Sequence, residues 1–311
     1  MRQKCFLLLS YTLFFRLYST VEMRGGKPVL RKIFSILALL IGIGILVYPH
    51  VSSYFSEKNS SIATEEYQKK TKEMTKAERE KLWAEAEKYN ENLTGSPVHD
   101  PFIPGSGIVM PENYYDVLNV DGKMATIEIP RIKVKLPVYH GTSDSVLQQA
   151  VGHLEGSSLP IGGKDRHAVL TGHTGLSHAK IFTNLVELKE EDKFYVNVLG
   201  KTLAYQVDQI KVITPDQTEE LKVVEGQDHV TLLTCTPYGI NSHRLLVRGV
   251  RIPYDKKEKA EIKAETGLTA EQITLLKIAA LTTLIMLVLI IITWMRNRRK
   301  SVNMEDHGNG K

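Results

Sequence analysis

A chain of 311 residues with 42% hydrophobic and 24% charged side chains has room for one large domain plus accessory segments. That composition excludes disordered and fibrous classes. The net charge of +5 does not mark a nucleic-acid binder, because the basic residues gather at the two ends beside apolar segments while the middle carries mixed charge. Two cysteines, Cys5 and Cys235, can build neither a disulfide framework nor a thiolate zinc site, and no cofactor is implied.

Residues 1–32 read as a cytoplasmic N-terminal segment. An apolar run follows Met1-Arg-Gln-Lys but lacks a small-x-small cleavage site, so it is not a complete signal peptide. Met23 is a second candidate start, which would make 1–22 an upstream extension. Residues 33–52 contain 16 uncharged, mostly apolar positions (33–48) behind Arg31 and Lys32. They are short against the roughly 20 residues a span needs, and read as a signal anchor or uncleaved signal with its N-terminal side in the cytoplasm.

Residues 53–95 are expected to be a helical extension, because Glu, Lys, Ala and Leu dominate 64–93 and neither Gly nor Pro interrupts them. Thr75 with Glu78 three residues later fits a capping box that starts a second helix. Residues 96–112 form a loop broken by Pro97, Pro101, Pro104, Gly105, Gly107 and Pro111. From 113 to 255 the pattern turns to short strands, at 124–129, 134–139, 167–172, 194–198, 202–207, 212–214, 229–234 and 244–254. Eight strands with few helices predict a mainly β fold, a closed antiparallel or mixed barrel, with short helices at 145–151 and near 179–186. A linker (256–272) leads to a second apolar segment, 273–295, edged by Trp294 and followed by Arg296, Arg298, Arg299 and Lys300 in a basic tail, 296–311. Two transmembrane helices with both ends inside would put the middle of the chain on the outer face of a membrane, in contact with the lipid bilayer.

Chemistry centres on Thr231-Leu232-Leu233-Thr234-Cys235, an apolar β-type run that delivers a lone cysteine to a turn rich in Pro, Gly and Asn. A thiolate at a strand end is a reachable nucleophile, and it needs a proton carrier and an oxyanion partner. Among ten histidines, His173 stands out, presented between Gly172 and Gly175 on a tight turn after a strand. His140, His153, His167, His178, His229 and His243 read as surface or strand-end residues. If the strand ending at Cys235 pairs antiparallel with the next, Arg244 falls opposite it. Arg248 has the same parity but lies about 13 Å further along, while Arg251 and His243 face away. The acidic run Glu187, Glu190, Glu191, Asp192 reads as a solvated helix end rather than a calcium site, so no metal is expected.

The run TLLTC closely resembles the TLxTC signature of sortases, membrane-bound cysteine transpeptidases of Gram-positive bacteria. Thr171-Gly172-His173 and Arg244 stand where that family carries its histidine and arginine. The helical extension, the second span and the loop Cys235-Thr-Pro-Tyr-Gly-Ile-Asn-Ser-His-Arg244 resemble its class C, pilin-polymerising branch, and Asp100-Pro101-Phe102 resembles that branch's lid. The resemblance implies a sortase-type barrel over 113–255, catalytic residues His173, Cys235 and Arg244, and signature support from Thr231, Leu232 and Thr234. It also implies cleavage of an LPxTG-like sorting signal through a thioester, transfer to a lysine amine of a pilin subunit, and a cell-membrane location. Peptidoglycan precursor or a housekeeping sortase would act downstream. The alternatives are a housekeeping sortase that anchors proteins to peptidoglycan, distinguished by its acceptor, and a non-enzymatic membrane scaffold, which leaves the His–Cys–Arg set without purpose. Papain-like chemistry is disfavoured by the order of His and Cys.

Overall fold

The computed structural model describes residues 28–93, 99–103, 111, 113–176, 179–265 and 277. The chain divides into two compact units, 1–254 and 255–311. In the second, the described element is a short helix, Lys256–Glu265.

The first unit is built on a closed eight-stranded barrel. Its strands are β1 (Lys123–Ile129), β2 (Val134–His140), β3 (Val151–His153) and β4 (Arg166–Thr171), then β5 (Lys193–Val198), β6 (Lys201–Ile213), β7 (Asp228–Thr236) and β8 (His243–Ile252). They close in the order β1-β2-β3-β4-β7-β8-β6-β5, with β1 pairing β5. Two pairs are parallel, β2 with β3 and β4 with β7, so the barrel is mixed. Closure removes the exposed edges that an open sheet would have to protect.

Eight strands were expected and eight occur, but they are not the same eight. The runs expected at 202–207 and 212–214 are one strand, β6, whose register slips between Val207 and Gln209. The residue in the slip is Asp208, and its carboxylate grips Arg248 on β8 (Oδ2 to Nη2, 2.6 Å). A β-bulge therefore looked like a break in the pattern. The eighth strand, β3, is three residues long, and the expected helix over 145–151 is one turn, Asp144–Leu147, that ends before it. Gly152 in β3 is required by packing, since a Cβ there would lie 2.3 Å from the Gly141 carbonyl oxygen. Near 179–186 the regular structure is a 3-10 turn, Leu185–Glu187, rather than a helix.

The main core fills the barrel with Ile127, Val138, Leu170, Phe194, Val196, Leu232 and Val247. Strand parity sends Leu233 to the other face of β7, where it joins a smaller cluster with Leu154, Val169, Ile213, Leu221 and Leu246. That outer cluster adjoins the site described below.

Two helices precede the barrel, α1 (Pro28–Glu73) and α2 (Lys76–Asn92). The capping box at Thr75 is present: Glu78 N donates to Thr75 Oγ1 at 3.2 Å and Thr75 N to Glu78 Oε2 at 2.7 Å, worth about 1 kcal/mol of helix stability. Buried Tyr67 fixes α1 to the barrel by donating to the Met124 carbonyl (2.9 Å) and accepting from Leu199 N (3.1 Å). Buried Asn90 does the same for α2 through both backbone groups of Leu159. The backbone of α1 is helical through the apolar segment 33–48 and past Pro49. Among the described residues no helix is long and apolar enough to cross a membrane. The second apolar segment, 273–295, lies outside the described residues except for Lys277.

Four histidines read from the sequence as surface or strand-end residues, His140, His153, His167 and His229, do lie at the ends of strands, but they are buried rather than at the surface. His153 meets the Tyr114 hydroxyl and donates toward the Ser158 carbonyl (each 2.9 Å). His167 meets the Lys222 carbonyl (2.8 Å) and the Thr231 hydroxyl (2.7 Å). Burial disfavours the imidazolium and lowers both to about 4 from an ordinary 6.5. The unfolded chain then takes up protons below 6.5 that the folded chain refuses until about 4, so stability is full at neutral pH and lost as the pH falls. Unfolding free energy from urea titration is expected to drop by about 2 kcal/mol per histidine between pH 7 and pH 5. A pH-independent value over that interval would refute this account.

Candidate active site

The β7–β8 hairpin aligns the two polar ends of its strands. Cys235 and Arg244 are directly opposed partners in the antiparallel register, as parity and the turn required. Both are buried, at 6% and 5% exposure, and Cys235 has no disulfide partner. Arg248 sits further along, opposite Thr231, while Arg251 turns to Asp228.

The parallel β4–β7 ladder brings in the histidine. Thr171 is level with Leu233, and Gly172 N donates to the Leu233 carbonyl (3.1 Å). Continued by two residues, that register would set His173 level with Cys235. Its turn is locked on the far side by Phe182 N donating to the His173 carbonyl (3.0 Å). Gly172 is required there, because a Cβ would lie 2.8 Å from both Ile181 and Phe182. Asp144, at the start of a one-turn helix, favours the charged imidazole, but burial outweighs it and lowers His173 below its ordinary value. No spacing in the sequence linked Asp144 to His173.

The segment 99–103 lies over these residues. Asp100, itself 5% exposed, accepts from Arg244 twice: Nε to Oδ2 at 2.5 Å and Nη2 to Oδ1 at 3.1 Å. This is the bidentate fork that makes arginine–carboxylate pairs strong and geometrically specific. Asp100 also accepts from Phe102 N (2.8 Å), which shapes the turn around Pro101. The Phe102 ring packs 5.1 Å from the His173 ring and 5.2 Å from the Arg244 guanidinium carbon, so it touches both histidine and arginine. It also rests on the outer apolar cluster. The third guanidinium nitrogen, Nη1, donates to the carbonyls of Asn241 and His243 (both 3.0 Å), tying the arginine to its own loop.

Under this cover the Cys235 thiol is pushed up to about 11, because burial disfavours the thiolate. Arg244 pulls it down and Asp100 pushes it up, so the carboxylate opposes the charge that would activate the sulfur.

A family model described as the sortase domain matches residues 127–252. Sortase C-1 from Actinomyces oris is 51% identical, with a TM-score of 0.54, and the match covers 57% of this chain and 99% of that one. Sortase C-1 from Streptococcus pneumoniae is 49% identical with a TM-score of 0.58, covering 62% and 99%. Sortase A of Bacillus anthracis is 27% identical over 228 residues, 70% of this chain and 94% of that protein.

The chain belongs to the sortase family, in its class C branch. It is a cysteine transpeptidase, as sortases are.

Within this sortase the signature run takes a structural meaning. Thr234 donates its hydroxyl to the Gly172 carbonyl at 2.7 Å, so the residue before the cysteine holds the residue before the histidine. Thr231 bonds to buried His167, and Leu232 fills the barrel. These partners are brought in by tertiary pairing, which leaves no spacing in the sequence. Among the described residues no group of three or more His, Cys, Asp or Glu side chains is placed to hold a metal. In the acidic run, Asp192 accepts from the Lys189 amide (2.9 Å).

Proposed function

We propose that this sortase polymerises pilin subunits at the outer face of the cell membrane. Cys235 attacks the carbonyl of the Thr–Gly bond in an LPxTG-like sorting signal and becomes a thioester. His173 takes the thiol proton as the sulfur attacks and passes it to the departing glycine amine. A lysine ε-amine of the next pilin subunit then attacks the thioester and forms an isopeptide bond, while its proton passes through His173 to the departing sulfur and restores the thiol. Arg244 stabilises the oxyanion of each tetrahedral intermediate. The outer apolar cluster beside Cys235 suits the Leu-Pro part of the signal, and Asp100, Pro101 and Phe102 form a lid that the signal must displace.

The observation that carries this reading is the fork between Asp100 and Arg244, with Phe102 wedged against His173. It matches the lid expected for a class C enzyme. Two of the solved structures that this chain resembles are described as the sortase C1 of GBS Pilus Island 1 and a pilus-related sortase C of Group B Streptococcus, at 47% and 46% identity. The membrane location rests on the apolar segments 33–52 and 273–295 with their basic flanks. Mass spectrometry of products formed with candidate pilins is the decisive measurement. Cleavage after threonine with a lysine-linked product is expected. Attachment to a peptidoglycan amine would transfer the chain to the housekeeping reading, which its likeness to Sortase A of Bacillus anthracis keeps in view.

A further inference from the structure

Tyr238 is 68% exposed, among the most exposed aromatic side chains of the described residues, and it stands three residues after Cys235. Its ring is nevertheless in contact with something specific. A Cβ built on Gly175 would lie 3.0 Å from Tyr238 Cε2 and 3.4 Å from Cδ2 and Cζ, so the ring lies across the bare face of that glycine. Gly175 is two residues after His173, and its φ of +77° is one that side-chain-bearing residues avoid. Glycine thus serves twice here, allowing the turn and leaving room for the ring.

The loop that carries Tyr238 is itself held. The Pro237 carbonyl accepts from Ile240 N (3.1 Å) and Asn241 N (2.9 Å), and the Asn241 carbonyl accepts from Arg244 Nη1 (3.0 Å). On the other side, Gly175 N donates to Thr183 Oγ1 (3.3 Å). The turn bearing His173 is therefore gripped on both sides of the imidazole by the nucleophile's own segment. Thr234 holds Gly172 before it and Tyr238 covers Gly175 after it.

We propose that Tyr238 is a positioning residue, which fixes the His173 turn against the Cys235 strand by packing its ring on Gly175. Aromatic area, not the hydroxyl, does this, because the contact is made by ring carbons. The inference rests on His173 as the proton carrier, since only then does the placement of the turn govern turnover. The groups around the imidazole are Asp144, the Phe102 ring and, beyond that ring, the Arg244–Asp100 pair.

In the full-length enzyme acting on an LPxTG-type peptide, Tyr238→Ala is expected to lower kcat about tenfold with KM within about twofold, the pattern of misplaced catalytic groups. Tyr238→Phe should retain wild-type kcat. In substrate-free protein carrying Cys235→Ala, nuclear magnetic resonance should show His173 titrating closer to its ordinary value when Tyr238 is also alanine, because the opened turn admits water. An unaltered His173 titration would overturn the proposal, and a raised KM with unchanged kcat would overturn it and make Tyr238 a substrate contact. His173→Ala with full turnover would instead sink the mechanism, and the titration would still decide whether Tyr238 places the turn.

Discussion

Replacing Asp100 and Phe102 together by alanine is expected to raise the rate at which a small thiol reagent modifies Cys235 by about tenfold at pH 7, before any gain in access. Burial pushes the thiol up to about 11 from an ordinary 9.0, so at pH 7 roughly one molecule in ten thousand carries a thiolate. Returning it to the ordinary value multiplies the thiolate about a hundredfold. The less basic thiolate is also the weaker nucleophile, which takes back roughly a factor of ten. Arg244, released from its carboxylate partner, adds to the gain. The sign appears in the pH profile as well. Below its own value each protein's rate climbs about tenfold per pH unit, and the variant levels off about two units earlier. Equal rates and equal profiles would reduce 100–102 to an ordinary turn.

Arg244→Lys is expected to cost a hundredfold or more in kcat/KM, about 3 kcal/mol of transition-state stabilisation. The guanidinium serves three directions at once. Nε and Nη2 reach Asp100, and Nη1 holds the carbonyls of Asn241 and His243. In the mechanism proposed above, displacing residues 100–102 would free Nε and Nη2 to meet an oxyanion while Nη1 keeps the guanidinium tied to its loop. An ammonium has one centre and cannot anchor and donate along fixed, separate lines. Steady-state turnover of a fluorogenic LPxTG-type peptide measures the loss, with Cys235→Ala as the zero. Near-normal turnover in the lysine variant would remove Arg244 from the chemistry.

Much of this site was readable from residue types and spacing. Cys235 and Arg244 emerge as partners because hairpin parity is a local rule, and the structure opposes them directly. His173 emerges from its glycines, although what brings its turn toward the Cys235 strand is a parallel pairing between residues 62 positions apart, which periodicity does not encode. The same limit explains β3, whose three residues have neither length nor alternation, and Asp144, which only tertiary packing brings near His173. Asp208 misled in the opposite way, since a single bulged residue split one strand into two. The buried histidines were missed because burial of a polar ring depends on distant hydroxyls and carbonyls supplied by the fold.

The parallel β4–β7 ladder also has a consequence for how the enzyme matures. Parallel neighbours require a long crossover, and here everything from Gly172 to Gln227 lies between the two strands. Closing so long a loop is entropically costly and is rewarded only when the ladder zips, so contacts of this separation slow folding. The imidazole and the sulfur therefore meet only in chains whose barrel has already assembled. A partly folded chain carries the same cysteine without the β4–β7 pairing that sets the His173 turn level with it.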